Sequence, residues 1–352
     1  MKKILVEAGA LARFASGCFV QLGLGEAEAA LIADSLLFAN LRGVDSHGII
    51  RLKIYCERLR AGGFNAAARV SVLRENVSTA LLDGHNGFGQ LGAVAAMDRA
   101  VAMAGETGIG FVAVRNSNHF GASAFYALRA VKAGMVGLAA TNTGPTMAPS
   151  GGREKRLGNN ALALAIPAGK HPPLILDMAM GAAAWGKIFV ARQEKKKIPA
   201  SWALDKHGVP TDDPDVAADG GLIQPFGGYK GYGMSLLTDV LTGVISGGAF
   251  STQLKTLYEQ VDSPSGISNL CVAVRVESLM PLAEFRTRVD LIIDLMHACA
   301  TAPGAERIYV PGEIEEETAR RRTQEGIPIN ETLAAELDAL GRELRQPLPF
   351  SV

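Results

Sequence analysis

The sequence predicts an α/β fold with a mixed β-sheet flanked by helices, set between helical N- and C-terminal parts. Three observations support this prediction. Apolar residues recur at helical spacing before residue 63, strand-like segments alternate with helical ones from about residue 70 to 276, and charged helical segments fill roughly the last fifty residues. The 352 residues are 48% hydrophobic and 20% charged, which is typical of a globular protein with a large core.

The N-terminal part is expected to be mostly helical, with one helix over 27–39 and a second over 49–59 that ends at Gly62-Gly63. Two charged helices, over 314–325 and 331–344, are expected to pack outside the sheet. Between these parts, the pattern predicts strands at 70–73, 78–82, 110–114, 136–140, 161–166, 174–176 and 269–276, and helices at 91–106, 122–133, 182–193 and 233–246.

The charge balance and the cysteines exclude several classes of protein. Lys and Arg total 35, as do Asp and Glu, so neither nucleic acid nor an anionic membrane is expected as a partner. The four cysteines form no C-x-x-C pair, which argues against a disulfide scaffold or a zinc ribbon and favours a cytoplasmic protein. No catalytic metal motif, signal peptide or apolar stretch of the roughly 20 residues that span a bilayer is recognised.

Residues 87–92 match the dinucleotide-binding pattern G-x-G-x-x-G between a strand-like segment and a helix. The Rossmann fingerprint also needs an acidic residue about 20 positions later to bind the ribose. The next strand instead ends in Arg115-Asn116. We therefore do not expect an ordinary Rossmann site, and a turn that needs glycine is the preferred interpretation.

Polar side chains suited to carboxylate chemistry lie between residues 45 and 55. His47, Arg51 and Tyr55 follow one another at intervals of four, so on one helix all three would share a face. The planar guanidinium of Arg51 suits a carboxylate, and His47 and Tyr55 can donate protons or hydrogen bonds. The alternative is an exposed helix capped by Asp45 or Ser46.

His119 follows a strand that is expected to be buried, and it precedes a predicted helix. Loops at the carboxyl ends of strands are where active sites of α/β proteins gather. Histidine is also the usual general acid and base when a carbonyl is reduced or an alcohol oxidised. His119 is therefore a candidate catalytic residue, with a helix-capping or structural role as the alternative.

The glycine-rich segment 225–233 precedes an apolar helix and includes Lys230 and Gly231. Its backbone amides and Lys230 could hold a phosphate. A helix-entry turn that binds nothing is the alternative interpretation.

Several motifs occur in an order that resembles a single enzyme family: Asp45-Ser46-His47-Gly48, Asn116-Ser117-Asn118-His119-Phe120-Gly121, Leu176-Asp177-Met178-Ala179, Ile198-Pro199-Ala200-Ser201-Trp202-Ala203 and Gly231-Tyr232-Gly233. From about residue 5 to 340 the chain resembles the malate/L-lactate dehydrogenase family, which is distinct from the Rossmann-type lactate and malate dehydrogenases. Its members include ureidoglycolate, sulfolactate and diketogulonate oxidoreductases and reductases of cyclic imines such as piperideine-2-carboxylate.

The resemblance implies a non-Rossmann, mixed-sheet nicotinamide-binding core with NAD or NADP as cofactor. It also implies a homodimer in which both subunits shape the active site. Residues 1–75 would form a helical substrate and dimer region, 76–300 the α/β core, and 301–352 a helical region that packs back on the N-terminal part.

The resemblance further implies roles for individual residues. His119 resembles the family's general acid and base, while His47 and Arg51 resemble groups that contact cofactor and substrate. Tyr55 is a further candidate beside Arg51 for the substrate wall. No metal ligand is implied, and cofactor contacts are implied at Asp177, Met178, Ala179, Lys230, Gly231, Arg307, Pro311, Gly312 and Glu313.

The reaction expected from these residues is reversible hydride transfer between the nicotinamide and C2 of a small 2-oxo acid. Arg51 would bind the carboxylate of that substrate, and His119 would give or take the proton. One alternative keeps the fold and cofactor but reduces the C=N bond of a cyclic imino acid. Another alternative is a catalytically silent nicotinamide-binding sensor, against which the joint presence of His47, Arg51 and His119 argues.

Overall fold

The computed structural model describes residues 3–350 and has the predicted mixed α/β fold. The strands are β1 (Lys3–Val6), β2 (Ser71–Glu75), β3 (Thr79–Asp83), β4 (Ile109–Ser117), β5 (Met135–Thr141), β6 (Leu162–Ile166), β7 (Leu174–Met178), β8 (Ala203–Leu204), β9 (Pro210–Thr211), β10 (Leu222–Ile223), β11 (Ile267–Arg275) and β12 (Ile327–Asn330). The helices are α1 (Ala8–Gln21), α2 (Glu26–Leu41), α3 (Leu52–Ala61), α4 (Gly89–Thr107), α5 (Ala124–Lys132), α6 (Trp185–Gln193), α7 (Pro214–Ala218), α8 (Tyr229–Asp239), α9 (Leu282–His297), α10 (Glu313–Glu325) and α11 (Glu331–Leu344).

The central sheet has seven strands in the order β2-β3-β4-β11-β5-β6-β7. Only β3 and β4 run parallel, and every other neighbouring pair is antiparallel. Strand β11 enters the middle of the sheet late in the chain, where it separates β4 from β5. Helices α4 and α5 cover this sheet, with Val112, Val114 and Cys271 in the shared core. The carboxyl end of β4 is held between its two neighbouring strands, β3 and β11.

The two ends of the chain share a second core. Strand β1 pairs antiparallel with β12, so that Val6 lies opposite Ile327. Helix α1 packs against α2 and α11, and Leu36 and Leu337 belong to the same buried cluster. The strand pairing was not predicted, because each strand has only four residues and its partner is more than 300 positions away. The division of the chain into three regions stays a prediction.

The predicted helix over 49–59 was wrong in its first turn. The chain instead forms two short 3₁₀ turns, Asp45–His47 and Ile49–Arg51, before α3 begins at Leu52. Gly48 separates them in an extended conformation, with φ −89° and ψ −150°. A Cβ atom at Gly48 would lie 2.2 Å from the Asn40 side-chain oxygen, so the two turns meet where only glycine fits.

The glycines of the segment 87–92 serve close packing, and glycine is needed at Gly87 for this reason, because a Cβ atom there would lie 2.7 Å from the Ala68 Cβ atom. The turn before α4 has positive φ at His85 and Asn86, at 48° and 59°. A Cβ atom on Gly89 would lie 2.1 Å from the Asn118 carbonyl oxygen and 2.7 Å from that of His119. Glycine here lets the first turn of α4 lie directly against the His119 loop.

Several smaller elements had not been predicted. Helix α9 and the three-stranded sheet β10-β8-β9 lie in stretches that the sequence pattern left unassigned. Other boundaries differ by a few residues, since α5 begins at Ala124 and α8 begins at Tyr229 and ends in a π-helical turn, Val240–Val244. In the described part of the chain, 3–350, no helix combines the length and apolar character needed to cross a membrane.

Candidate active site

The loop that carries His119 joins the end of β4 to the start of α5. The side chain of Asn118, which is fully buried, holds this loop in place. Its amide nitrogen donates to the carbonyl oxygens of Asn86 and Gly87, and its oxygen accepts from the Ser265 amide. His119 therefore has a fixed backbone, and its side chain is half-buried.

The structure brings His47, Arg51, Tyr55 and His119 together. The rings of His47 and His119 are stacked, with centroids 5.6 Å apart and an interplanar angle of 16°. The Tyr55 hydroxyl lies 2.6 Å from Nδ1 of His119, and the Gln90 amide nitrogen donates to that hydroxyl at 3.2 Å. Tyr55 and Gln90 are fully buried, whereas the other three side chains are half-buried.

Burial and positive charge together keep both histidines neutral near neutral pH. Burial, followed by the charges of His47, Arg51 and Arg58, holds the pKa of His119 well below its usual range. Burial and the neighbouring Arg51 lower the pKa of His47 to about 4. Burial raises the pKa of Tyr55 to about 12 against the opposing effects of Arg51 and Gln90, so its hydroxyl stays protonated.

Arg51 carries a charge that the described part of the chain leaves without a counter-ion. Within residues 3–350, no carboxylate lies within 4.0 Å of its guanidinium, and its buried Nε atom makes no hydrogen bond. The ring of Tyr258 faces it, with the guanidinium carbon 5.4 Å from the ring centroid. A partly desolvated cation without a counter-ion is costly, so the site favours an anionic ligand.

A cavity of about 350 Å³ lies near this cluster, although none of the four side chains of the cluster lines it. Val44 and Ala122, each three residues from one of the two histidines, form part of its wall. The opposite wall includes Asp177 of β7 and the turn Pro311-Gly312. This volume lies in the range of small-molecule sites, roughly 300–1,000 Å³.

Asp177 combines exposure to this cavity with close protein packing around its carboxyl group. One oxygen accepts a hydrogen bond from the Ala124 amide at the start of α5, at 2.8 Å. Desolvation raises the pKa of Asp177 to about 6, although the Ala124 amide and the charge of Arg42 oppose the change. The nearby Arg42 is buried and donates to Glu316 and to the Gly312 carbonyl oxygen.

Comparison with known proteins identifies the family behind this geometry. Residues 6–338 match the family model described as malate/L-lactate dehydrogenase. The chain belongs to the malate/L-lactate dehydrogenase family. A malate dehydrogenase of Pyrococcus abyssi is 40% identical over 331 residues, which cover 92% of this chain and 90% of that protein.

Solved structures of dehydrogenases and a reductase share this fold. The sulfolactate dehydrogenase of Methanocaldococcus jannaschii matches with a TM-score of 0.92 at 36% identity, over 98% of each chain. The Δ1-piperideine-2-carboxylate reductase of Pseudomonas syringae pv. tomato matches with a TM-score of 0.86 at 26% identity, over 96% of this chain and 99% of that one. The predicted family and its mixed-sheet fold are therefore confirmed.

Not every residue with an implied cofactor role lines the cavity of this family member. Lys230 is exposed in the first turn of α8, and Gly231 lies where a Cβ atom would be 2.2 Å from the Phe226 carbonyl oxygen. Met178 and Ala179 are half-buried just beyond Asp177. Neither pair is part of the cavity wall.

Arg307 and Glu313 flank the cavity turn without lining it. Arg307 pairs with Glu317 at 2.6 Å and lies over the Tyr309 ring. The Glu313 carboxylate accepts from the Val310 amide at 2.9 Å and lies 3.0 Å from Nε2 of His297. These contacts shape the turn 309–313, and they give His297 a polar partner that the sequence did not indicate.

Four residues around the candidate site of this dehydrogenase were not identified from the sequence: Arg42, Arg58, Gln90 and Tyr258. Arg42 stands close to the motif that begins at Asp45, and Gln90 lies within the segment 87–92, so these motifs were the available signal. Buried Arg58 donates to the carbonyl oxygens of Leu257 and Ser263 and so anchors the loop that carries Tyr258. The sequence holds no signal for that contact. Within residues 3–350, no group of three or more His, Cys, Asp or Glu side chains is arranged to hold a metal ion.

Proposed function

We propose that this protein catalyses reversible hydride transfer between NAD or NADP and C2 of a small 2-oxo or 2-hydroxy acid. The observation that carries the proposal is the Arg51 guanidinium, half-buried without a carboxylate partner among residues 3–350, in one cluster with His119. The substrate class of the malate and sulfolactate dehydrogenases described above supports the same assignment.

Arg51 binds the carboxylate of the substrate in this proposal. Its planar fork of N–H donors matches two carboxylate oxygens, and the Tyr258 ring covers the guanidinium from one side. A carboxylate fixed at Arg51 restricts C2 to a small volume beside the two stacked histidines. Such orientation contributes several kcal/mol to catalysis.

His119 gives the proton to the alkoxide in reduction and takes it from the alcohol in oxidation. The cationic neighbours that keep His119 neutral in the free protein include Arg51. A bound carboxylate offsets that charge and so raises the pKa of His119. Substrate binding therefore favours the imidazolium, which stabilises the alkoxide as it forms. His47 stays neutral and contributes a hydrogen bond.

The cavity between α2, β7 and the turn 309–313 suits one part of a nicotinamide dinucleotide. When it is bound, the dinucleotide would supply the hydride to C2 of the substrate or accept the hydride from that carbon. Asp177, Pro311 and Gly312 would hold it, because they line the cavity. The backbone there is tightly packed, since a Cβ atom on Gly312 would lie 3.0 Å from Ile175.

Reduction of a cyclic imino acid is the second candidate function. It is favoured by the fold shared with the Δ1-piperideine-2-carboxylate reductase at a TM-score of 0.86. Such a substrate also has a carboxylate for Arg51 and accepts hydride at the carbon next to it. The two candidates differ in whether the hydride is delivered to a C=O or a C=N carbon.

A homodimer is supported by an apolar surface on α8 and the following π-helical turn. Leu237, Leu241, Val244 and Ile245 are each between 45% and 59% exposed and follow helical spacing. Contiguous apolar surface of this kind marks protein–protein interfaces. Replacement Leu241→Glu is expected to yield a monomer in light scattering.

The unpaired thiols of all four cysteines agree with a cytoplasmic location.

Nicotinamide oxidation by the purified protein tests the proposed function. NADH and NADPH are supplied separately with oxaloacetate, pyruvate, sulfopyruvate, pyrroline-2-carboxylate and piperideine-2-carboxylate. Turnover of a 2-oxo acid is the expected result, whereas turnover of cyclic imines alone would establish the second candidate. Cofactor binding without any turnover would contradict both and favour a nicotinamide sensor.

A further inference from the structure

Gln90 is a buried side chain with a hydrogen-bonding group left unused. Its Nε2 atom donates to the Tyr55 hydroxyl at 3.2 Å, while its Oε1 atom is buried and accepts no hydrogen bond from residues 3–350. The residue is fully buried in the first turn of α4, behind the catalytic cluster. A lone buried acceptor of this kind is unfavourable unless another state of the site uses it.

The neighbours of His119 determine which ring nitrogen carries the proton. The Gly121 amide lies 3.3 Å from Nδ1 and can only donate. The Tyr55 oxygen receives the Gln90 N–H, so its own hydrogen points to Nδ1 at 2.6 Å. Both contacts make Nδ1 an acceptor. The neutral ring therefore carries its proton on Nε2 in this arrangement.

The acid form of His119 reverses this arrangement. An imidazolium carries protons on both nitrogens, so Nδ1 must donate and the Tyr55 oxygen must accept. The Tyr55 hydrogen then needs another acceptor. Among the contacts of that hydroxyl, only the Gln90 amide can become one, by turning so that Oε1 replaces Nε2.

We propose that Gln90 is a positioning residue whose amide turns over to let His119 be protonated. In the resting site, hydrogen bonds run from Gln90 to Tyr55 to Nδ1. In the proton-donating site they run from Nδ1–H to Tyr55 to Oε1 of Gln90. Forming the imidazolium makes the Nδ1–H bond with a proton taken from solvent. The Nε2–H bond then breaks as its proton passes to the substrate oxygen, which leaves a neutral ring protonated on Nδ1. Loss of that proton to solvent and uptake of another at Nε2 restore the resting ring. The inference rests on the proposed function for its role in turnover, but not for the hydrogen-bond arrangement itself.

The other groups around His119 do not supply this acceptor. His47 stacks on the His119 ring, and Arg51 and Arg58 are cations that donate hydrogen bonds without accepting them. Arg51 and Arg58 also disfavour the imidazolium by charge. The Gln90–Tyr55 pair is the neighbouring element that can adapt its hydrogen bonds to the added proton.

Two substitutions of Gln90 separate a positioning role from a structural one. Gln90→Met keeps the volume and removes the acceptor, so it lowers the pKa of His119. Gln90→Glu keeps an acceptor and favours the imidazolium, so it raises that pKa. In reduction, the rate falls as pH rises through the pKa of His119. The fall of the reduction rate at alkaline pH is therefore expected at lower pH in Gln90→Met and at higher pH in Gln90→Glu. At neutral pH, the rate of Gln90→Met is expected to be about tenfold or more below that of wild type.

The experiment combines single-turnover rates across pH with ¹⁵N NMR of histidine-labelled protein, in which His119 is assigned by its absence from His119→Asn. The resting wild type is expected to show its proton on Nε2 and a titration that shifts in opposite directions in the two variants. Equal shifts, unchanged titrations or a resting Nδ1–H would overturn the proposal. The NMR result is obtained without substrate, so failure of the proposed function would show as lost turnover alone.

Discussion

The Tyr55 hydroxyl oxygen lies 2.6 Å from Nδ1 of His119, although the two residues are 64 positions apart in the chain. Tyr55 belongs to α3 in the N-terminal helical part, and His119 follows β4 of the central sheet. Each part of the fold therefore supplies one member of a single hydrogen-bonded pair. The proposed acid and base group is therefore complete only when both parts are assembled.

Replacement Tyr55→Phe is expected to slow reduction at least about tenfold, since it removes the group that adapts to the proton on Nδ1. The ring should keep its place against Phe64 and Phe88, whose centroids lie 5.6 and 5.7 Å away. Loss of two buried hydrogen bonds should also destabilise the fold by about 1–3 kcal/mol. Stopped-flow rates and thermal unfolding measure both effects. Phe64→Leu disturbs the same cluster and serves as the control, and an equal loss of rate there would contradict the role of the hydroxyl.

Replacement Arg51→Lys keeps the positive charge but removes the planar fork. Hydrogen bonds to charged groups contribute about 1.5–3 kcal/mol each, so kcat/KM for the substrate should fall by roughly 10- to 150-fold. The dissociation constant of the cofactor should stay nearly constant. Steady-state kinetics and fluorescence titration provide these values. Arg60→Lys, in a surface pair with Glu343 at 2.7 Å, is the matched control. An unchanged kcat/KM for Arg51→Lys would remove Arg51 from the substrate site.

The pH dependence of reduction should differ between free and substrate-bound enzyme. Burial and the charges of His47, Arg51 and Arg58 lower the pKa of His119, and a carboxylate bound at Arg51 offsets part of this effect. In the proposed reaction, reduction needs protonated His119, so kcat and kcat/KM should both fall as pH rises through the pKa of His119. The profile of kcat should therefore fall at higher pH than that of kcat/KM. Coincident profiles would show that substrate binding and His119 protonation are not coupled.

Replacement Glu313→Gln should weaken cofactor binding several-fold with little change in kcat. Burial acts to raise the pKa of Glu313, but hydrogen bonds from the Val310 amide and His297 outweigh it and lower that pKa. The ionised carboxylate thus ties the turn 309–313 to the end of α9. Cofactor titration by fluorescence tests this expectation. Glu317→Gln changes an exposed ion pair with Arg307 and should have little effect. Equal cofactor affinities in both variants would contradict the role of Glu313.

The strands with buried apolar runs were predictable because their signal is local. The ends of strands β4, β5 and β6 differ from the predicted ends by no more than three residues. The buried positions of these strands belong to continuous apolar segments of the sequence. The β1–β12 pair and the insertion of β11 between β4 and β5 depend on partners far away in sequence. A single sequence carries no local mark of such pairing.

The candidate site was predictable where chemistry is concentrated in short motifs. His47, Arg51 and His119 were singled out in this way, and the structure brings them together although the single helix expected for the first two was wrong. Their catalytic roles stay predictions. Gln90 belongs to the segment 87–92, in which the pattern assigned a role only to the glycines. Its importance follows from Gly89, which brings α4 against the His119 loop. Tyr258 reaches Arg51 through a loop anchored by Arg58, so only the folded chain reveals that contact.

The role of His119 as general acid and base is tested most directly by single-turnover nicotinamide oxidation in wild type, His119→Ala and the surface control His207→Ala. Cofactor dissociation constants are measured on the same preparations. We predict that His119→Ala lowers the rate by about 10²- to 10⁴-fold while cofactor affinity and the His207→Ala rate stay close to those of wild type. Nearly intact turnover in His119→Ala would contradict the assignment and make His47 the next candidate.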